Sequence, residues 1–214
     1  MSLLASVFVC CRLYKKGISL IQPELSFVEP LEKAIINISP LSLQSRDPFL
    51  NAWKYWSVPK DHYLVREHTV SDYIYFIEKG IARIYYHKKD KEITEWIAID
   101  EQFFLSITSF FERKPSHLII QTIEPSEVYG IHHNDFMALA GQYHDVERLL
   151  RKMVTSSLIL SQVRMDAIQF ETAHQRYDRL LKNSPHIIQR VPLSYIASFL
   201  GVTLETLSRI RSAR

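Results

Sequence analysis

The chain between Lys54 and His133 alternates short apolar runs, rich in aromatic and β-branched side chains, with frequent turn signals. Such runs are typical of β-strands, and dipeptides such as Lys79-Gly80 are typical of the turns between them. Many short antiparallel strands at this spacing predict a small barrel or a double-sheet jelly roll. The predicted strands are Tyr63–Val65, Tyr73–Ile77, Ile81–Tyr86, Ile93–Ile99, Leu118–Ile123 and Val128–Ile131.

The pattern becomes helical after Asn134, which we expect to be an N-cap because apolar residues at helical spacing follow it. From Val146 to Phe170, residues recur at alternating spacings of three and four, which predicts one long helix with a heptad seam. This helix either packs only on its own domain or also pairs with its twin in a homodimer. The predicted dimer seam consists of Val146, Leu149, Met153, Ser156, Leu160, Val163, Ala167 and Phe170.

The segment Pro192–Arg211 has the spacing of a helix-turn-helix. Gly201 can adopt the positive φ that ends the first helix, and Thr203 can N-cap the second. The small Ala197 allows the two helices to cross closely. The apolar residues expected to close the core between them are Ile196, Leu200, Leu207 and Ile210.

Charge supports a nucleic-acid role for this end of the chain. The formal net charge of the protein is +3, yet seven basic and only two acidic residues lie between Ala173 and Arg214, so the rest is slightly acidic. On the second helix, Glu205 can accept from a cytosine amino group and Arg209 can reach a guanine edge or a phosphate, although the same pair could form a helix-surface salt bridge. The predicted DNA-binding residues are Ser194, Thr203, Leu204, Glu205, Thr206, Ser208, Arg209 and Arg211.

Several enzyme and cofactor classes are not indicated. The five glycines form no GxGxxG or Walker pattern, which excludes kinase, P-loop and Rossmann sites. Cys10 and Cys11 are adjacent and cannot complete a zinc or iron–sulfur site alone. His132 and His133 would point to opposite faces of a strand, unlike the His-x-His of cupin enzymes. We therefore expect no catalytic residues, no metal and no enzymatic activity.

The order of these parts resembles that of the Crp–Fnr family of bacterial transcription regulators. The resemblance is most specific in Tyr195–Arg211 and in Tyr75–Gly80, which is similar to the β-roll turn of that family. It implies an α+β fold with an antiparallel, cyclic-nucleotide-binding-like β-roll (jelly roll), a long dimerisation helix and a C-terminal helix-turn-helix. The implied boundaries are an N-terminal extension with helices at 1–40, a β-roll sensor domain at 41–141, a dimerisation helix at 142–172 and a DNA-binding domain at 173–214.

The resemblance further implies a cytoplasmic homodimer that binds double-stranded DNA and contacts RNA polymerase, with no membrane association. In the family, the positions of Glu205 and Arg209 read bases. The preceding position, often Arg, is Leu204 here, so we expect one base contact to be missing. A small-molecule sensor or interaction module without sequence-specific DNA binding remains the alternative. The apolar run Leu3–Cys11 is too short for a membrane span, and the sequence does not indicate its role.

The sensor cassette departs from the family pattern. Cyclic-nucleotide-binding members carry a Gly-Glu pair and, about ten residues later, an Arg that pairs with the cyclic phosphate; Leu105, Ser106 and Ser116 occupy these positions here. Loss of the Arg alone removes a charge-assisted pair worth roughly 1.5 to 3 kcal/mol. We expect no cofactor; the fold permits cyclic nucleotide, but these residues disfavour it. By alignment, the effector-pocket candidates are Phe103, Leu105, Ser106, Ser116 and His117.

Overall fold

The structure is a computed structural model that describes residues 19–21 and 29–213. It confirms the predicted α+β fold: an antiparallel β-roll, one long helix and a C-terminal group of short helices. The run Leu3–Cys11 lies outside the described residues, as does much of the predicted extension 1–40. The described part of that extension contributes strand β1 (Ser19–Ile21) and helix α1 (Glu29–Ile38).

The strands of the described residues form two antiparallel sheets. The five-stranded sheet has the order β1-β2-β9-β4-β7, and the four-stranded sheet has the order β3-β8-β5-β6. Because β1 pairs with β2, the first sheet includes a strand from the segment predicted as a separate extension. The remaining strands are β2 (Trp53–Val58), β3 (Tyr63–Val65), β4 (Tyr73–Lys79), β5 (Ile81–Lys88), β6 (Lys91–Ile99), β7 (Gln102–Phe104), β8 (Ile119–Thr122) and β9 (Ser126–His132).

Strand β4 explains why the roll needs helices on one side. Its side chains alternate between two cores: Tyr75 and Ile77 pack between the two sheets, whereas Ile74 and Phe76 pack on the opposite face. That second face is covered by helices, so all four side chains are buried. The covering helices include α1, α2 (Leu43–Asn51), α4 (His133–Gln142) and the start of α5 (His144–Phe170); α3 (Ile107–Glu112) follows β7.

Two local contacts fix where the central helices begin. The predicted N-cap Asn134 lies inside α4 instead; the cap is His132, whose ring Nδ1 accepts from the Asn134 N–H at 3.1 Å. A histidine ring can accept this bond as an aspartate would, and sequence pattern does not single it out. Helix α5 is tied to α2 because Asp145 accepts from the Ser42 N–H and the Ser45 hydroxyl, both at 2.7 Å.

The C-terminal helices pack against the roll. They are α6 (Ala173–Asn183), α7 (Pro185–Arg190), α8 (Leu193–Leu200) and α9 (Leu204–Ser212). Thr172 and Gln175 form a capping box that starts α6 directly after the long helix. Ile81 and Ile97 of the four-stranded sheet share one apolar core with these helices. Helices α8 and α9 therefore sit on the roll of their own chain.

Candidate DNA interface and sensor cavity

Helices α8 and α9 form a helix-turn-helix with the predicted core. Gly201 caps α8 in the left-handed conformation, at φ 68°, and the Val202 N–H donates to the Ala197 carbonyl in a Schellman-type ending. The Thr203 hydroxyl then caps α9 by accepting from the Thr206 N–H at 3.1 Å. The buried contacts between the helices come from Ile196, Ala197, Leu200 and Leu207, with Ile210 half-buried at their edge.

The predicted DNA-binding residues lie at the open surface of this motif. Glu205 and Arg209 are exposed, and the Glu205 carboxylate accepts from the Thr203 hydroxyl at 3.2 Å. Within the part of the chain that the structure describes, Glu205 and Arg209 form no ion pair, so the intrahelical bridge considered from sequence is absent. Thr206 alone is half-buried. The exposed members of the set are Ser194, Thr203, Leu204, Glu205, Ser208, Arg209 and Arg211.

Arg83 of β5 lies at the centre of the contact between the roll and the helix-turn-helix. Its side chain is 2% exposed, and its guanidinium lies 3.7 Å from the ring centroid of Tyr195 in α8 and 4.2 Å from that of Tyr85. Its Nε donates to the Thr94 hydroxyl at 3.0 Å, and it pairs with Glu92. Sequence reasoning missed this residue because a charged position inside a strand pattern reads as solvent-facing.

A second contact joins α7 to the roll. Arg190 bonds both Asp100 and Glu124, and the hydrogen bond from Arg190 is the main cause that holds the pKa of Asp100 below its ordinary value. Asp100 also accepts from the Gly80 N–H at 2.7 Å. Gly80 has φ 119°, and a Cβ there would meet the Ser126 side chain, so the β4–β5 turn requires glycine.

In the segment that aligns with the nucleotide cassette, the two serine hydroxyls contact each other. Ser106 and Ser116 are 1% and 2% exposed, and their Oγ atoms are 2.9 Å apart. The Ser116 hydroxyl also donates to the Leu118 carbonyl and accepts from the Leu118 N–H, both at 2.9 Å. Both residues are thus structural, which corrects their prediction as effector-pocket residues. Small hydroxyls that satisfy each other need no ligand.

The neighbouring basic residue cannot replace the missing arginine in this structure. Arg113, the left-handed C-cap of α3, is directed to Asp72 and to the Ser71 carbonyl. Its charge is therefore used to fasten α3 to the start of β4. Lys114 pairs with Glu112 at the surface at 2.8 Å.

An open cavity of about 700 Å³ lies between the roll, α5 and the C-terminal helices. Of the five predicted effector residues, Phe103, Leu105 and His117 line it. The walls are mainly apolar, and the polar groups come from different elements. The cavity is also lined by Trp96, Phe104, Phe111, Leu118, Leu150, Met153, Leu160, Phe199, Glu95, Arg164, Arg176 and Arg179, among others.

Comparison with known proteins identifies the roll. Residues 55–143 match the family model of the cyclic nucleotide-binding domain. This part of the chain is a cyclic nucleotide-binding domain. The matched segment contains the whole roll except β1 and the first two residues of β2, and it includes the Ser106–Ser116 pair. The family label therefore describes the fold of the domain, and the ligand depends on its own cavity residues.

Solved structures extend the likeness over the C-terminal helices and give the chain the fold of the Crp–Fnr regulators. FixK2 from Bradyrhizobium japonicum is 22% identical with a TM-score of 0.65, covering 75% of this chain and 83% of that chain. CLP from Xanthomonas campestris, a c-di-GMP responsive global regulator, is 16% identical with a TM-score of 0.60, covering 80% of this chain and 91% of that chain. A CooA variant from Carboxydothermus hydrogenoformans is 17% identical with a TM-score of 0.59, covering 91% and 85%. No curated protein sequence matches the chain.

The long helix corrects part of the predicted dimer seam. Val146, Leu149 and Ala167 are buried within their own chain, the first two in the apolar core between the roll and its covering helices. Met153 is half-buried, and the remaining predicted seam residues are exposed: Ser156, Leu160, Val163 and Phe170.

Among the described residues, the helices lack an apolar stretch of the length that a membrane crossing requires.

Proposed function

We propose that the protein is a homodimeric, sequence-specific DNA-binding transcription regulator whose cyclic nucleotide-binding domain senses a different effector. The observation that carries this is the exposed face of α9, with Glu205 and Arg209 unpaired to each other on a capped, well-packed helix-turn-helix. Carboxylate and guanidinium groups at the start of such a helix are suited to base edges and phosphates in the major groove.

Dimerisation is supported by a second heptad series on α5. Val154, Leu158, Ser161, Met165 and Ile168 follow spacings of four, three, four and three and lie on one face of the helix. The exposed fractions of the apolar members are 38% for Val154, 68% for Leu158, 48% for Met165 and 50% for Ile168. A helix that exposes such a stripe buries it against a partner, and pairing with its twin places two α9 helices for two half-sites.

The proposed sensor does not use the usual cyclic nucleotide contacts. Ser116 supplies no positive charge for a cyclic phosphate, and its hydroxyl is already satisfied by Ser106 and Leu118. The similar structures support a regulatory role, since CLP is a c-di-GMP responsive regulator and DNR from Pseudomonas aeruginosa is a transcriptional regulator with a sensor domain. Contact with RNA polymerase and a place in the cytoplasm remain predictions that follow from the same proposal.

The test is selection of bound duplexes from a random-sequence DNA pool. We expect the wild-type protein to enrich one motif and Arg209→Ala to lose about 1 to 3 kcal/mol of affinity for it. The matched control is Arg151→Ala, which removes an exposed arginine from α5, away from the helix-turn-helix. An equal loss in both variants, or none in Arg209→Ala, would remove Arg209 from the reading set. Enrichment of no motif would favour the alternative of an interaction module.

A further inference from the structure

Arg164 is the unusual charge in the cavity wall. It lies on α5, is half-buried, and forms no ion pair within the described residues. Its guanidinium lies 4.3 Å from the ring centroid of Phe199 and donates at 3.4 Å to the Thr94 carbonyl. Burial is the main cause that lowers the pKa of Arg164, which indicates a guanidinium short of solvent and counter-charge.

The three arginines of the cavity wall differ in the groups that they contact. Arg176 and Arg179 also line it. Arg179 pairs with Glu171 at 3.4 Å, while Arg176 donates to the carbonyls of Glu171 and Leu200. The carboxylates that line the wall are Glu95 and Glu101; neither forms an ion pair with Arg164 within the described residues, although Glu95 acts on the pKa of Arg164 from a distance. Arg164 is therefore a half-buried guanidinium of the wall with no carboxylate in direct contact, which suits one anionic group on a ligand.

The rest of the cavity is apolar and large enough for an organic molecule. Trp96, Phe103, Phe104, Leu105 and Phe199 contribute walls from the roll and from α8. A volume of about 700 Å³ lies within the range of small-molecule sites. An inorganic anion would leave these walls unused, and a polar, charged nucleotide would be poorly matched to them.

We propose that this cavity binds an organic monoanion with an apolar body, such as a medium-chain or aromatic carboxylate, whose anionic group pairs with Arg164. The inference deepens the proposed function and rests on it, because it names the effector class of the proposed sensor. The site shares Phe103, Leu105 and His117 with the cassette segment, but its anion-binding group is Arg164 on the long helix, whereas Ser106 and Ser116 are hydrogen-bonded to each other.

The position of Arg164 links the ligand to the DNA-binding end. Its present contacts join three parts of the chain: α5, strand β6 through Thr94, and α8 through Phe199. The ring of Phe199 also meets Trp96 edge-on, with centroids 6.1 Å apart. A carboxylate on Arg164 competes with these contacts, so its binding changes how α8 is held against the roll.

The test is calorimetric titration of the full-length protein with decanoate, decan-1-ol and acetate. We expect saturable binding of decanoate at least about tenfold tighter than that of decan-1-ol, because only decanoate can form the charge-assisted pair. Acetate, which lacks the apolar body, is expected to give no saturable heat. Equal binding of decanoate and decan-1-ol, or no binding of decanoate, would overturn the proposal.

Variants locate the charge that is responsible. Arg164→Gln is expected to weaken decanoate about ten- to a hundredfold and to leave decan-1-ol unchanged, whereas Arg164→Lys recovers part of the loss. Arg151→Gln, the matched control on the same helix, should bind like the wild type. Unchanged decanoate binding in Arg164→Gln would overturn the assignment of Arg164 even if that variant were less stable.

The same preparations separate this proposal from the proposed function. DNA selection is performed without decanoate, so it depends on α9 and not on the cavity. A protein that enriches a DNA motif but ignores decanoate is a regulator with another effector class. A protein that binds decanoate through Arg164 but enriches no motif has the proposed site and not the proposed DNA function.

Discussion

Replacing Arg83 by Met tests whether the helix-turn-helix is held against the roll as described. The substitution retains a long apolar side chain in the buried position but removes the stack on Tyr195 and the bond to Thr94. A desolvated cation–π contact contributes about 2 kcal/mol, and a hydrogen bond from a charged donor about 1.5 kcal/mol. The ion pair with Glu92 adds less than about 1 kcal/mol, because the Glu92 side chain is 44% exposed.

The net effect is smaller than the sum of these contributions, because methionine avoids the cost of desolvating a guanidinium. We expect Arg83→Met to lower the free energy of unfolding by about 2 kcal/mol, measured by urea denaturation with tryptophan fluorescence. Hydrogen exchange should accelerate first in α8 and α9, since these helices lose their contact with the roll. The control is Lys88→Met, which removes an exposed charge from the same strand.

Two results would refute this reasoning. A loss of unfolding free energy no larger than that of Lys88→Met would mean that Arg83 stabilises nothing beyond its own burial. A full loss with unchanged exchange in α8 and α9 would mean that Arg83 stabilises only the roll. In either case, the connection between the roll and the C-terminal helices would rest on Arg190 and on the apolar core that contains Ile81 and Ile97.

Three further predictions follow from other parts of the chain. Leu158→Glu places a charge in the proposed seam and should convert a dimer into monomer by light scattering; an unchanged mass would exclude that stripe from the interface. The Ser42 and Ser45 hydrogen bonds outweigh burial and lower the pKa of Asp145 to about 2. A carboxyl group with a depressed pKa stabilises the folded state at pH values above its unfolded pKa. After allowance for solvent screening, we expect the free energy of unfolding to fall by about 1 to 2 kcal/mol between about pH 4 and pH 2. The same measurement on Asp145→Asn should show a smaller loss over this range. Ala197→Leu should overpack the helix crossing and cost about 1 to 3 kcal/mol in thermal unfolding, a value near zero being incompatible with close helix contact.

The parts of the fold with strong local signals could be predicted from sequence. Gly201 and Thr203 bounded the helices of the helix-turn-helix because a left-handed cap and a hydroxyl cap are local requirements. Strand β7 was missed because three residues are too few to show the alternation of apolar and polar side chains that indicates a strand. Strand β2 was missed although Trp53, Tyr55 and Val58 are buried within it, since polar residues interrupt the run.

The site depended more on tertiary contacts. Leu105, Ser106 and Ser116 were recognisable as departures from a nucleotide cassette, but their positions could not distinguish a cavity wall from a closed hydroxyl pair. Similarly, a heptad series on α5 does not tell which face its own chain covers. Val146 and Leu149 are buried in the core beside the cyclic nucleotide-binding domain, so the exposed face that contains Leu158 is available to a partner. The roles of Arg83 and Arg164 could not be predicted because both contact residues of α8, which lie far from them in the sequence.

The most direct test of the central claim is the symmetry of the selected DNA motif together with the number of chains bound to it. A homodimer that uses α9 for recognition predicts an inverted repeat whose half-sites are about one helical turn apart, with two chains per duplex. Mutation of either half-site should weaken binding of the wild-type protein, and Arg209→Ala should lose preference at the same position in both halves. A motif without symmetry bound by a single chain, or binding that ignores sequence, would contradict the account.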